Sequence, residues 1–214
     1  GDIAGVTGKL FKTKTNELTI EADDVVLLTK AIRPMPDKFK GLADIETKYR
    51  QRYLDIMSNE DSKNVFLSRT KIIESLRSSL INRDFIEVET PMMQPIPGGA
   101  VARPFITKHN ALDRDLFLRV APELYLKRLL VGGIERVFEI NRSCRNEGLS
   151  TKHNPEFTML EYYEAYSTLE KTIEFTAKMI AEAAELVAGT KKLVWGEDEI
   201  DLSKIKKANL IDLV

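Results

Sequence analysis

The chain has 214 residues, 43% hydrophobic and 30% charged, which suits one large domain or two small ones and argues against global disorder. With 32 Lys+Arg against 33 Asp+Glu the formal net charge is −1, so composition predicts no general polyanion-binding surface, although a local basic patch stays open. One cysteine, Cys144, excludes an internal disulfide and suits a reducing compartment; with His109 and His153 as the only histidines, a closed structural zinc site is not expected. No stretch approaches the ~18 apolar residues of a membrane span and no signal peptide is visible, so a cytoplasmic protein without a membrane partner is the expectation. The chain opens on Gly1-Asp2 without an initiator Met and closes on the apolar-periodic run 208–214. Both ends read as cut, which predicts a piece of a longer protein.

Residues 1–29 alternate and turn like a small β-unit of three short strands. Val6, Leu10, Phe11, Leu18, Ile20 and Val25 to Leu28 are apolar, and Lys14-Thr15-Asn16-Glu17 makes a plausible hairpin turn. Arg33-Pro34-Met35-Pro36-Asp37 marks a boundary, because two prolines remove donors and hold their predecessors extended. Residues 42–57 then read as helix, with Lys48, Arg50 and Arg52 forming a solvated face. Val65, Ile72, Ile73, Leu76 and Leu80 recur at helical spacing over 65–81. Phe85 to Thr90 reads as a short strand stopped by Pro91, and the prolines and Gly98-Gly99 of 91–104 predict an ordered, irregular loop.

Phe105 to Thr107 and Leu116 to Val120 read as paired strands. Pro122 can open a helix that Gly132-Gly133 end, which places Glu123 in the first turn, where the helix dipole favours a carboxylate. Val137 to Asn141 and Phe157 to Ala165 are further strands. Ser167 with Glu170 forms a capping box for a long helix closed by Gly189, with Leu169, Ile173, Ala177, Ile180, Ala184 and Val187 as its stripe. Helix, antiparallel strands and a second helix predict an α+β fold, an antiparallel sheet flanked by helices, and not a doubly wound parallel sheet.

Chemistry concentrates around two strands. If extended backbone persists past Cys144, Arg145 and Glu147 share one face. On the later strand Phe157, Met159, Glu161 and Tyr163 share one face as well. A plain core face would not carry Glu161 between Met159 and Tyr163, since a buried unpaired carboxylate costs several kcal/mol. Alternation leaves two readings open: a structural ion pair of Arg145 with Glu161 or Glu147, or a ligand site. Arg145 suits a phosphate or carboxylate, Glu161 and Glu123 suit a cation, and a zwitterionic substrate with a nucleotide would use both. Pro97-Gly98-Gly99-Ala100 would let backbone approach a ligand closely, or is simply a turn.

Phe85-Ile86-Glu87-Val88-Glu89-Thr90-Pro91 resembles the first signature motif of the class II aminoacyl-tRNA synthetases. Phe138 to Glu161, with Arg145-Asn146-Glu147-Gly148 and His153-Asn154-Pro155-Glu156-Phe157-Thr158, resembles the second. The likeness is closest to lysyl-tRNA synthetases of the bacterial type, which Tyr49 to Asp55, Pro97 to Ala100, Ala102 to Phe105 and Ala121 to Lys127 also fit. It covers the chain to about residue 166.

The resemblance implies that Arg145 is catalytic and contacts the α-phosphate and the amino-acid carboxylate. Phe157 stacks adenine, Glu147 and Asn154 lie at the adenine edge, and His153 contacts the outer phosphates. Glu123 and Tyr163 hold the lysine ε-ammonium, and Glu161 and Gly99 lie near its α-amino group. The implied reaction joins lysine and ATP into lysyl-adenylate and passes lysine to tRNA, with magnesium as charge neutraliser. The implied organisation is the end of an OB-type anticodon-binding barrel at 1–33, a linker with helix at 34–62, and a partial catalytic core at 63–214, dimerising through the first motif.

The family's third motif is absent, and with it the acidic magnesium ligands, so no metal ligand is assigned. Cys144 stands where an aromatic residue is usual. These departures predict that the parent protein is the ligase and that this chain alone is inactive or severely impaired; the alternative is a non-catalytic dimerisation or ligand-binding module. A paralogue that attaches lysine to protein lacks the barrel, so 1–29 argues against it. Aspartate or asparagine specificity fits less well, because Glu123 and Glu161 would repel an acidic side chain.

Overall fold

The computed structural model describes residues 1–33, 35–36, 42–209 and 211. Pro34 and Asp37 of the expected boundary, and most of the apolar run 208–214, lie outside the described residues. The chain divides into two compact units, 1–67 and 68–214.

In the first unit, β1 (Ile3–Lys12) and β2 (Leu18–Thr29) form one long antiparallel hairpin where three short strands were expected. The turn lies at the expected place, with Asn16 at φ 63° and its amide donating to the Thr13 carbonyl, a conformation asparagine tolerates. Phe11 and Val26 lie on one face, while opposed pairs Ala4–Leu27, Val6–Val25 and Leu10–Ile20 set their apolar residues on the other. That face is exposed, and the described residues form no closed barrel.

The helix expected over 42–57 is two, α1 (Ile45–Arg50) and α2 (Arg52–Ser58), broken at Gln51. Asp44 caps α1 by accepting from the Thr47 amide. Of the three cationic residues read as a solvated face, Arg50 pairs with Glu46 in the open, whereas Arg52 pairs with the buried carboxylate of Asp55. α3 (Glu60–Ile81) follows, with the unit boundary falling inside it.

The second unit is organised by β7 (Arg136–Cys144) and β8 (Glu156–Glu164), paired antiparallel over their full lengths from Arg136–Glu164 to Cys144–Glu156. β3 (Ile86–Glu87) joins the other edge of β7 in parallel, shorter than the expected 85–90 strand. A second sheet has the order β4 (Met93–Gln94), β6 (Arg114–Leu118), β5 (Ile106–His109), all antiparallel. α4 (Glu123–Val131) and α5 (Leu169–Ala188) complete the layers. A terminal hairpin of β9 (Lys192–Trp195) and β10 (Asp198–Asp201) had no counterpart in the sequence reading. The content is mixed α and β with mainly antiparallel sheets, as expected.

Alternation divides the β7–β8 ribbon into two faces with different duties. Phe138 and Ile140, with Leu160 and Tyr162 across from them, meet Leu80 and Leu76 of α3, Phe85, and Phe175 and Met179 of α5 in one core. The opposite face carries Glu139, Asn141 and Ser143 against Glu161, Met159 and Phe157. α5 turns a different stripe inward than expected. Phe175, Met179 and Ala183 are buried, whereas Leu169 and Ile180 are exposed, because the Phe175 ring stacks on Phe85 and meets Tyr162 edge-on. Its cap is also one residue late: Thr168, not Ser167, accepts from the Lys171 amide, and Gly189 at φ 71° closes the helix as expected.

Candidate functional site

The non-core face of β7–β8 gathers most of the candidate residues. Extended pairing runs one residue past β7, where the Arg145 amide donates to the Pro155 carbonyl at 2.8 Å. Arg145 therefore stays on the face of Phe157, and its guanidinium lies 5.1 Å from that ring's centroid. The chain then bends, so Glu147 reaches the site from a loop and accepts from the Arg103 amide at 3.3 Å. Asn146 donates to the Arg103 carbonyl, which ties this loop to the 91–104 segment.

Arg145, Glu147, Gly148, Lys152, His153, Asn154 and Phe157 line a cavity of about 300 Å³. All five residues expected at a nucleotide thus surround one space. His153 is oriented by Ser150, whose hydroxyl lies 2.7 Å from Nδ1, and a mutual backbone bridge joins the same two residues. Arg145 makes no ion pair with Glu161 or Glu147 among the described residues, and its Nε is buried with no hydrogen-bond partner. A buried donor without a partner costs about 1–3 kcal/mol, so an ion-pair role does not account for this arginine. Lys152 was missed by sequence reasoning; its place in the polar connection between the two strands was the only signal.

Further along the same face, Tyr163 donates to Glu161 Oε2 at 2.8 Å. Burial pushes the Glu161 carboxyl above its usual range; the Tyr163 bond opposes this, and Glu123 and Glu139 reinforce it. Burial, then the same carboxylate, pushes the Tyr163 phenol far up, so it is a permanent donor. Glu123 opens α4 and receives Lys127 Nζ at 2.6 Å, one turn on, while that ammonium lies 5.6 Å from the Tyr163 ring. Gly99, at φ 89°, lies so near that a Cβ would come within 2.9 Å of Glu123 Cβ. Only glycine fits there without displacing the carboxylate.

Phe157 and Glu161 are four residues apart on β8, or ~13 Å, and Tyr163 is ~7 Å beyond Glu161. One strand face thus runs from a cationic cavity to a carboxylate–phenol cluster, an arrangement for a ligand with a phosphate end and an ammonium end. Among the described residues no group of three or more His, Cys, Asp or Glu could hold a metal ion, and no helix is long and apolar enough to cross a membrane. Glu139, buried on this face, and its buried partner Arg119 were also missed. The signal for Glu139 was its place inside the apolar run Val137-Phe138-Glu139-Ile140.

A model of the class II tRNA synthetases (D, K and N) matches residues 44–213, and the chain belongs to that family, as the two motifs indicated. Its curated relatives include the lysine–tRNA ligases of Laribacter hongkongensis, 59% identical over 95% of this chain and 41% of the relative, and of Erwinia tasmaniensis, 60% identical over 95% and 40%. That of Neisseria gonorrhoeae is 54% identical over 100% of this chain and 43% of its own length. The chain spans about two fifths of the length of these relatives.

Proposed function

We propose that this chain carries the ATP and lysine portions of the adenylation site of a lysine–tRNA ligase. The observation that carries the reading is the buried, unpartnered Nε of Arg145 at the cavity beside Phe157. In the proposed reaction the lysine carboxylate attacks the α-phosphorus of ATP, pyrophosphate leaves, and lysyl-adenylate passes lysine to tRNA. Arg145 offers planar donors to the α-phosphate and carboxylate as charge develops. Phe157 gives adenine a stacking surface, Glu147 and Asn154 meet its edge, and His153 meets the outer phosphates. Glu123 and Tyr163 take the lysine ε-ammonium, and Glu161 with Gly99 the α-amino group. Among the described residues two carboxylates share the single Lys127 cation at this end, so a neutral side chain would add no compensating charge, which is the physical basis for selecting lysine.

Several parts of the reading extend past this chain. The β1–β2 hairpin is proposed as the end of an OB-type barrel, within the division 1–33, 34–62 and 63–214. Exposed Ile86 in the first motif and Met93 just after it support a homodimer, and a cytoplasmic location accords with the reaction. Magnesium would supply charge neutralisation in this chemistry, but the described residues contain no acidic cluster to hold it. The third motif is not in this sequence, so the chain alone is proposed to bind substrates with little or no turnover.

The test combines an ATP titration with lysine-dependent ATP–pyrophosphate exchange, on this chain and on Arg145→Ala. The expected result is ATP binding that weakens at least ~10-fold in the variant, the scale of losing a hydrogen bond to a charged group at about 1.5–3 kcal/mol, with exchange at or near background. Equal ATP binding by the two proteins, or none by the natural chain, overturns the assignment. Lysine-specific exchange lost in the variant would instead show that the two motifs suffice for activation.

A further inference from the structure

The most heavily bonded polar group in the second unit is a pair that the proposed chemistry does not use. Arg119 and Glu139 are each 1% exposed and meet at 2.6 Å. Arg119 Nε donates to the Arg142 carbonyl at 2.7 Å, and Nη1 reaches the Thr90 hydroxyl at 3.1 Å. Glu139 accepts from the Thr90 hydroxyl at 2.6 Å, from the Thr90 amide, and from Asn141 Nδ2 at 3.2 Å. The main chain of Arg119 is engaged on both sides: its amide donates to the Met92 carbonyl, and its carbonyl accepts from the Cys144 amide at 2.9 Å.

Three segments therefore converge on one residue: Thr90–Met92 after β3, the end of β6, and β7. The geometry points to Arg119 and Glu139 as a positioning pair that fixes Arg145 relative to Glu123. Arg119 grips residues 142 and 144, the two that bracket the approach to Arg145. Four residues on, through the buried Val120 and Ala121, the same stretch delivers Glu123 to the start of α4. The anion end and the ammonium end of the site are thus both hung from Arg119. A pair kept only for stability is an expensive choice, because apolar residues of similar volume often replace a buried ion pair at no loss. A fork that must hold two strands at fixed offset cannot be replaced in that way, since its bonds run to backbone carbonyls. The inference rests on the proposed role of Arg145 at the ATP phosphates, and its test separates the two.

The full chain is prepared in natural form, as Arg119→Met/Glu139→Met, and as Thr90→Val, which removes only the hydroxyl shared by the pair. Two readouts are taken: ATP affinity by calorimetry, and the NMR signal of the Arg145 Nε–H group, assigned with Arg145→Lys. The double variant is expected to fold, to lose at least ~10-fold in ATP affinity, and to show a displaced or broadened Arg145 signal. Thr90→Val moves both in the same direction by less. Folded variants with natural ATP affinity and an unmoved Arg145 signal overturn the inference, and failure of both to fold reduces the pair to a structural one and overturns it too. If the natural chain binds no ATP, the adenylation reading fails, and the Arg145 signal alone decides positioning: moved in the folded variants it supports the pair's role, unmoved it sinks it.

Discussion

Glu161 shows how a single carboxylate is set by its surroundings. Burial holds its pKa above the ordinary 4.5, with Glu123 and Glu139 pushing the same way and the Tyr163 hydroxyl and the Lys127 ammonium pushing back. A carboxyl with a raised folded-state pKa favours folding most below 4.5 and loses that contribution as pH rises through the raised value. Ammonium binding has the opposite requirement, because only the ionised form attracts it. Lysine affinity is therefore expected to fall as pH is lowered from 7 towards 5, with a midpoint above 4.5. Calorimetric titration of lysine across that range checks this. Glu161→Gln should bind weakly with a flatter profile, and Tyr163→Phe should move the midpoint up by removing the bond that stabilises the anion. A Tyr163→Phe profile that moves down, or does not move, contradicts the assignment.

At the scale of elements, the β7–β8 ribbon works because its two faces are held by different forces. The core face is apolar and aromatic: Phe175 stacks on Phe85 at 5.9 Å, meets Tyr162 edge-on at 5.5 Å, and lies under the Arg83 guanidinium at 4.0 Å. Phe175→Ala should cost about 3–5 kcal/mol, and Phe175→Leu less, because it keeps most of the buried apolar volume and loses the ring contacts. Urea denaturation followed by circular dichroism gives both values; a small cost for alanine would mean that α5 does not anchor the ribbon. The strands, their alternation and the Gly189 stop were legible because each depends on a local pattern. The inward stripe of α5 was not, since periodicity counted Leu169 and Ile180 while ring packing selected Phe175 and Met179. The parallel pairing of β3 and the Arg119–Glu139 pair were equally hidden, because each joins segments far apart in sequence. The second-motif resemblance picked out residues that line one cavity, but the unpartnered Nε of Arg145 required the structure.

Across the whole chain the two units differ in how well they are sheltered. The 68–214 unit buries Leu80, Leu126, Val137 and Phe138 completely, whereas the hairpin leaves Leu10, Leu18, Val25 and Leu27 each more than half exposed. An isolated two-stranded hairpin is marginal in water, because one ladder cannot offset the entropy of ordering both strands. Its apolar side is the larger deficit, since covering apolar area contributes roughly 25 cal/mol per Å². Stability should therefore be uneven along the chain, with opening free energies near zero in β1 and β2 and close to the global value in β7 and β8. Hydrogen–deuterium exchange read by mass spectrometry is the direct measurement. Peptides from 3–29 should exchange within the dead time to minutes, while peptides from 136–144 and 156–164 stay protected far longer. Replacing Val6 and Val25 together by threonine should leave the 136–164 protection unchanged, because the opposed pair belongs to the hairpin alone. Equal protection in the two units would mean that the hairpin's apolar face is covered in solution.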